Sequence, residues 1–192
     1  MLEISNAGHQ ISAHNVTNTA YADGTGLGTQ NAATYTADWR TSQAALSAIV
    51  GNRLDTNYHA YVQGRNNTAL HDTMRAAGMR IARSTSIGYN LPQLNLGNGV
   101  LALKTQYLHL LNTAQIDAIC ENVKKYGATV VWMVHEVTEN GGIGVETAKS
   151  VYRYLCSRIA SDVSAGACVH RTASEFAREV YSERLVAASL LP

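Results

Sequence analysis

Ala128-Thr129-Val130-Val131-Trp132-Met133-Val134 runs directly into His135. The run is apolar and rich in β-branched residues without alternation, the pattern of a strand covered on both faces, so it predicts a central strand of a parallel sheet. Upstream, Ile116, Ile119, Cys120 and Val123 recur at helical spacing, with Asn112 or Thr113 as the starting cap and Gly127 as the stop. Together these make one αβ unit. Downstream, the turn cluster Glu139-Asn140-Gly141-Gly142 leads to a second helical stripe at Ala148, Val151, Tyr152, Leu155 and Ile159.

The same rhythm continues outward. Tyr58-His59-Ala60-Tyr61 reads as a strand, residues 67–77 as a helix closed by Gly78, and Met79-Arg80-Ile81-Ala82 as the next strand. Towards the end, Ala167-Cys168-Val169 is a short strand candidate, and Thr172-Ala173-Ser174-Glu175 has the capping-box spacing that opens a helix through Phe176 and Val180. Residues 19–36, rich in Gly, Asn, Thr and Ala with little periodicity, read as a long loop. Strands alternating with helices predict an α/β fold with a mainly parallel sheet or barrel. No internal repeat or domain boundary interrupts it, so residues 1–192 read as a single domain, a length that one core serves.

Composition excludes some functions. The chain carries 15 basic and 14 acidic residues, dispersed, for a formal net charge of +1. A nucleic-acid binder would show clustered Lys and Arg. No apolar run approaches the length of a membrane span, and Met1-Leu2-Glu3-Ile4-Ser5-Asn6 lacks the pattern of a secretory signal. Cys120, Cys156 and Cys168 are odd in number and widely spaced, which reads as structural thiols rather than a disulfide framework or a zinc site.

Seven histidines are candidates for chemistry, and two of them end strand-like runs, where α/β barrels keep their active sites. His135 ends the run at 128–134, and His14 ends Gly8-His9-Gln10-Ile11-Ser12-Ala13. An imidazole there binds a metal or moves a proton near neutral pH, although a single strand-end histidine is more commonly just hydrogen-bonded. No Gly-x-Ser-x-Gly elbow is present, and Gly24, Gly26 and Gly28 read as loop flexibility rather than a phosphate cradle.

Four stretches decide between these readings. Gly8 to Asn18, with His14 and Asn18 four apart, resembles the second motif of the polysaccharide deacetylases (NodB-like, carbohydrate esterase family 4), where a strand runs into His-x-x-x-His. Tyr58 to Asn66 resembles the family's Phe-x-Tyr-Pro-x-Gly turn, with Val62 in place of the proline, and Ala77-Gly78-Met79 its next strand entry. Val131-Trp132-Met133-Val134-His135 resembles its closing Leu-x-x-His. The motifs fall in the family's order over nearly the whole chain.

The resemblance implies a distorted or incomplete (β/α) barrel of the NodB type and a metal-dependent hydrolase that removes N- or O-acetyl groups from a polysaccharide. It implies His14 and Asn18 as ligands of a divalent metal, zinc by the family's habit, Gln63 as the backbone oxyanion donor, His135 as the catalytic acid, and Tyr61 and Trp132 against the sugar. Asn18 is a neutral donor where the family has its second histidine, so metal binding is expected to be weak or absent. Family members also open with a strand ending in two aspartates, whereas Met1 stands seven residues before Gly8. The expectation is therefore a chain without its first βα unit, catalytically incomplete, whose bared edge a second copy covers in a homo-oligomer. Asp23 is the candidate substitute carboxylate. The alternative is a non-catalytic glycan-binding or structural module on the same fold, and either function implies an extracellular, cell-surface or virion setting.

Overall fold

A computed structural model describes residues 9–22, 24, 28–51, 54–91, 101–142 and 144–180. Gly8 and Asp23, both named above, lie outside the described residues. Two compact units divide the rest: the first comprises the described residues up to Thr85, with 101–103 and 171–180, and the second comprises 86–91 and 104–170.

In the first unit β1 (Ile11–Ser12) pairs in parallel with β2 (Leu54–Asp55), and β3 (Tyr58–Ala60) pairs in parallel with β4 (Ile81–Ile87), with Tyr58 opposite Ile81 and Ala60 opposite Arg83. Two helices pack on one another, α1 (Ala32–Val50) and α2 (Thr68–Ala76). Each is opened by an asparagine whose side chain accepts an otherwise orphaned amide: Asn31 from Thr34 and Asn67 from Leu70. The core is aromatic and sulfur-rich, with Tyr35, Trp39, Tyr61, Leu70, Met74 and Met79 essentially without exposed surface. A further helical stretch occupies 173–180.

In the second unit β5 (Leu103–Tyr107, of which Leu103 belongs to the first) pairs with β6 (Val131–Met133) in parallel, and β7 (Glu136–Thr138) with β8 (Glu146–Ala148) likewise. Helix α3 (Thr113–Tyr126) has a complete capping box, Asn112 with Gln115, and ends at Gly127 in the left-handed conformation, φ 59°. It packs on α4 (Lys149–Ser164) through Ile116, Cys120 and Leu155. Outside that apolar seam, Arg158 of α4 pairs with Asp117, Glu121 and Asp162, and Tyr154 donates to Asp117.

The fold is α/β, with three sheets of two, four and two strands; the four-stranded one has the order β3-β4-β5-β6, and the pairs β1–β2, β3–β4, β5–β6 and β7–β8 are parallel. β6 therefore stands at the end of that order, not in the centre as its apolar run suggested. The run is explained by its faces: Trp132 and Val134 pack against the α3–α4 cluster and Met133 is buried. An all-apolar strand needs two covered faces, and covered faces do not require two neighbouring strands.

Other boundaries shift for local reasons. The expected loop at 19–36 stops at Asn31, because α1 begins with Ala, Thr and Tyr rather than a leucine stripe and so lacks a visible period. β4 starts at Ile81 and continues to Ile87, beyond the expected 79–82. Ala167-Cys168-Val169 is not a strand; the Ala167 amide instead closes the end of α4 by donating to Asp162 O. Among the described residues no helix is long and apolar enough to cross a membrane.

Candidate functional site

Short strands leave the positioning of the first unit's candidate residues to side-chain hydrogen bonds. Ser12 donates through Oγ to Tyr58 O, tying the end of β1 to the start of β3. Beyond it, Ala13 O lies 3.3 Å from His59 Nδ1. A carbonyl only accepts, so Nδ1 carries the proton and Nε2 is the acceptor for Tyr35 Oη at 2.9 Å. Tyr35 Oη in turn accepts from Val62 N at 2.9 Å. One buried chain thus links the tail of β1, helix α1, strand β3 and the turn after it. Burial drives the His59 pKa down to about 3, with the His14 ring as a secondary cause, so His59 is a neutral structural group.

His14 follows directly. It is exposed, and its ring centroid lies 5.9 Å from that of His59. Partial desolvation against the core lowers its pKa, opposed by a hydrogen bond with the Ala60 backbone and assisted by the Arg83 charge. It is therefore a mostly neutral imidazole at pH 7, fit to accept a proton or hydrogen bond. Asn18, four residues on, is exposed in the left-handed region with φ 53°. Between them Asn15 is buried and donates to Tyr35 O, while Thr17 donates through both N and Oγ1 to Asp38 Oδ2. Burial alone would push the Asp38 carboxyl up, but these bonds outweigh it and hold it below the ordinary range. Sequence reading missed Asp38 because nothing local marks it; its role depends on a contact 21 residues away.

The turn after β3, Val62–Gly64, is 3-10-like but kinked at Gln63. Gln63 sits in it at φ 53°, ψ 16°, exposed. Among the described residues, Asn18 and Gln63 are the non-glycine positions with positive φ. A bulky side chain in this region is strained, and such strain gathers at ligand-holding sites. The amides around it are committed: Val62 N to Tyr35 Oη, Gly64 N to Tyr61 O, Arg65 N to Val62 O. No acceptor among the described residues takes the Gln63 N–H. Gly64, φ 72°, is required here, since a Cβ would come within 2.0 Å of Thr85 Oγ1, which itself bonds Gln63 O.

Tyr61 lies in the core, 1% exposed, stacked on His71 at 5.9 Å. His71 Nε2 pairs with Asn66 Oδ1 at 2.8 Å.

In the second unit the carboxyl ends of β5 and β6 carry matching histidines. Tyr107 is opposite Met133 in the ladder, and His109 and His135 each stand two residues further on. Their ring centroids are 6.4 Å apart, and Tyr107 packs edge-on to His109 at 5.6 Å. His135 is exposed, while Trp132 is half-buried against the helical cluster.

The described residues do not make the metal site that the resemblance implies. His14 offers one imidazole and Asn18 a neutral amide, and the imidazole beside His14 is closed to coordination because both nitrogens of His59 are engaged. Among the described residues no group of three or more His, Cys, Asp or Glu gathers as a metal site would need. What the first unit does offer is the exposed imidazole of His14 just after β1 and, just after β3, the exposed Gln63, whose amide meets no acceptor among the described residues. Comparison with protein-family models, with curated proteins and with solved structures finds no match in any of the three.

Proposed function

We propose that this chain is a polysaccharide-deacetylase-like, carbohydrate-directed module that holds an acetylated glycan at the carboxyl ends of its strands. The observation that carries the reading is Gln63, an exposed residue held in a left-handed turn, whose N–H meets no acceptor among the described residues. An amide fixed in that way is the donor an acetyl carbonyl needs, and its preorganisation spares the ordering cost of binding. The resemblance at Tyr58 to Asn66 puts the family's oxyanion donor at the same residue. His14 supplies a second polar contact, and Asn18 a third.

Hydrolysis of the acetyl group is the reading for a protein with a full catalytic set, for which the resemblance implies His135 as the acid. The residues described here favour binding over turnover, because the imidazole beside His14, that of His59, has both nitrogens engaged, and no group of three His, Cys, Asp or Glu gathers among the described residues. Titration of the isotopically labelled chain with a chitin hexamer and with its fully deacetylated counterpart tests the proposal. The Gln63 amide resonance should move with the acetylated sugar alone. Equal shifts with both sugars, or none at millimolar concentration, would overturn it.

A further inference from the structure

The segment after β1 folds back on the first half of α1, and its side chains meet around one carboxylate. Thr17 donates twice to Asp38 Oδ2, from N at 3.3 Å and from Oγ1 at 2.7 Å, and the side chains of Asn15 and Gln30 bond the same carboxyl. We propose that Asn15, Gln30 and Asp38 form a calcium site built from side-chain oxygens. It does not depend on the glycan reading, and it uses none of the ligands that the family resemblance implies.

Two amide oxygens carry the inference. Asn15 Oδ1 and Gln30 Oε1 are both shut off from solvent, and neither meets a hydrogen-bond donor among the described residues. Asn15 as a whole is 8% exposed. Turning the amides over would not help. Asn15 Nδ2 donates to Tyr35 O at 3.3 Å, and a backbone carbonyl only accepts, so the nitrogen belongs on that side. Gln30 Nε2 lies 3.3 Å from Thr17 Oγ1, whose one proton goes to Asp38, so this hydroxyl oxygen must also accept. Both amide oxygens are therefore left as acceptors without donors, a costly arrangement that a bound cation relieves.

The three residues stand on anchored backbone. Ala22 N donates to Gln30 O at 2.8 Å and Gln30 N to Ala20 O at 3.3 Å, while Asn31, the next residue, caps the helix that carries Asp38. Asp38 supplies the negative charge and forms no ion pair among the described residues. It is half-buried and Thr17 is exposed, so an ion has a way in from solvent. Amide and carboxylate oxygens are hard donors that calcium accepts in flexible geometry, whereas magnesium demands a near-ideal octahedron and zinc favours nitrogen and sulfur. One carboxylate makes a weak site, with a Kd of about 0.1–1 mM.

The test is an NMR titration of the intact chain with calcium, magnesium and sodium chlorides at constant ionic strength. The side-chain amide resonances of Asn15 and Gln30 and the Thr17 N–H should shift saturably with calcium alone. Gln30→Met removes Oε1 at similar length and should weaken calcium binding about tenfold, and Gln30→Glu, which adds a charge, should tighten it about tenfold. Asp38→Asn should abolish it, while Asp72→Asn, a carboxylate of α2 outside the site, should leave it unchanged. Equal shifts with sodium or magnesium, or full calcium affinity in Gln30→Met, would overturn the site. So would the absence of any shift at millimolar calcium, which would assign the two oxygens to buried water.

Discussion

Tyr35 Oη donates to His59 Nε2 across 2.9 Å, within a core that leaves His59 no exposed surface. The imidazole has no room for a second proton, since its other nitrogen already donates to Ala13 O. Its folded pKa, about 3, is below the ordinary 6.5 of the unfolded chain. The unfolded state therefore binds more protons between those values. Stability contributed by neutral His59 is fully present above pH 6.5 and is lost progressively as pH falls towards 3. Urea midpoints should fall between pH 7 and pH 4.5, a loss of about 2–3 kcal/mol. A flat profile would contradict the buried neutral assignment.

Tyr35→Phe removes the oxygen that serves both Val62 N and His59 Nε2. Each becomes a buried polar group without its partner, at about 1–3 kcal/mol apiece. Denaturant unfolding should show a loss of about 2–4 kcal/mol, with faster amide exchange at residues 62–64. Loss below 1 kcal/mol would mean that water replaces the hydroxyl.

Gly64→Ala and Gln63→Gly should act in opposite directions. The first sets a methyl against Thr85 Oγ1 and forces alanine to φ 72°, so it should cost more than about 2 kcal/mol. The second relieves a left-handed side chain and should stabilise by up to about 1 kcal/mol. It also keeps an amide at position 63, so binding of the acetylated chitin hexamer should survive. Abolished binding in Gln63→Gly would assign recognition to the side chain instead.

Zinc titration by calorimetry should reveal no tight, stoichiometric site that depends on His14. Asn18→His supplies the missing imidazole at a φ of 53°, a region that histidine visits more readily than most residues. Affinity for zinc should rise if positions 14 and 18 reach one ion, and should fall again in the His14→Ala background. Unchanged affinity would show that the loop cannot bring the two together.

The α/β class was legible because parallel strands covered on both faces and capped helices leave strong local marks: the run at 128–134, Asn112 with Gln115, Gly127. The edge position of β6 was not, since strand order depends on which neighbours pair, and burial of its faces looks the same either way. Helix α1 escaped notice because its core contacts come from Tyr35 and Trp39 set among alanines and threonines. Near the candidate site, the strand at Tyr58 and the turn that follows it were legible in the sequence from Tyr58 to Asn66. Asp38, Arg83 and His109 were not, because each matters through a contact distant in sequence: Thr17 for Asp38, His14 for Arg83, His135 for His109. β7 and β8 were missed for the same reason, as two three-residue strands make sense only as a pair.

The hydrogen-bonded chain from Val62 N through Tyr35 and His59 to Ala13 O has a consequence for how the first unit opens. Its strands are two to seven residues long and too short to hold their register alone. The chain joins segments up to 46 residues apart, and no link can be broken without baring a polar group in an aromatic core. Local fraying of the turn at 62–64 is therefore coupled to disruption around α1 and β1. The Val62 amide should exchange with solvent only when the whole unit opens, making it a single-proton reporter of that unit's global stability.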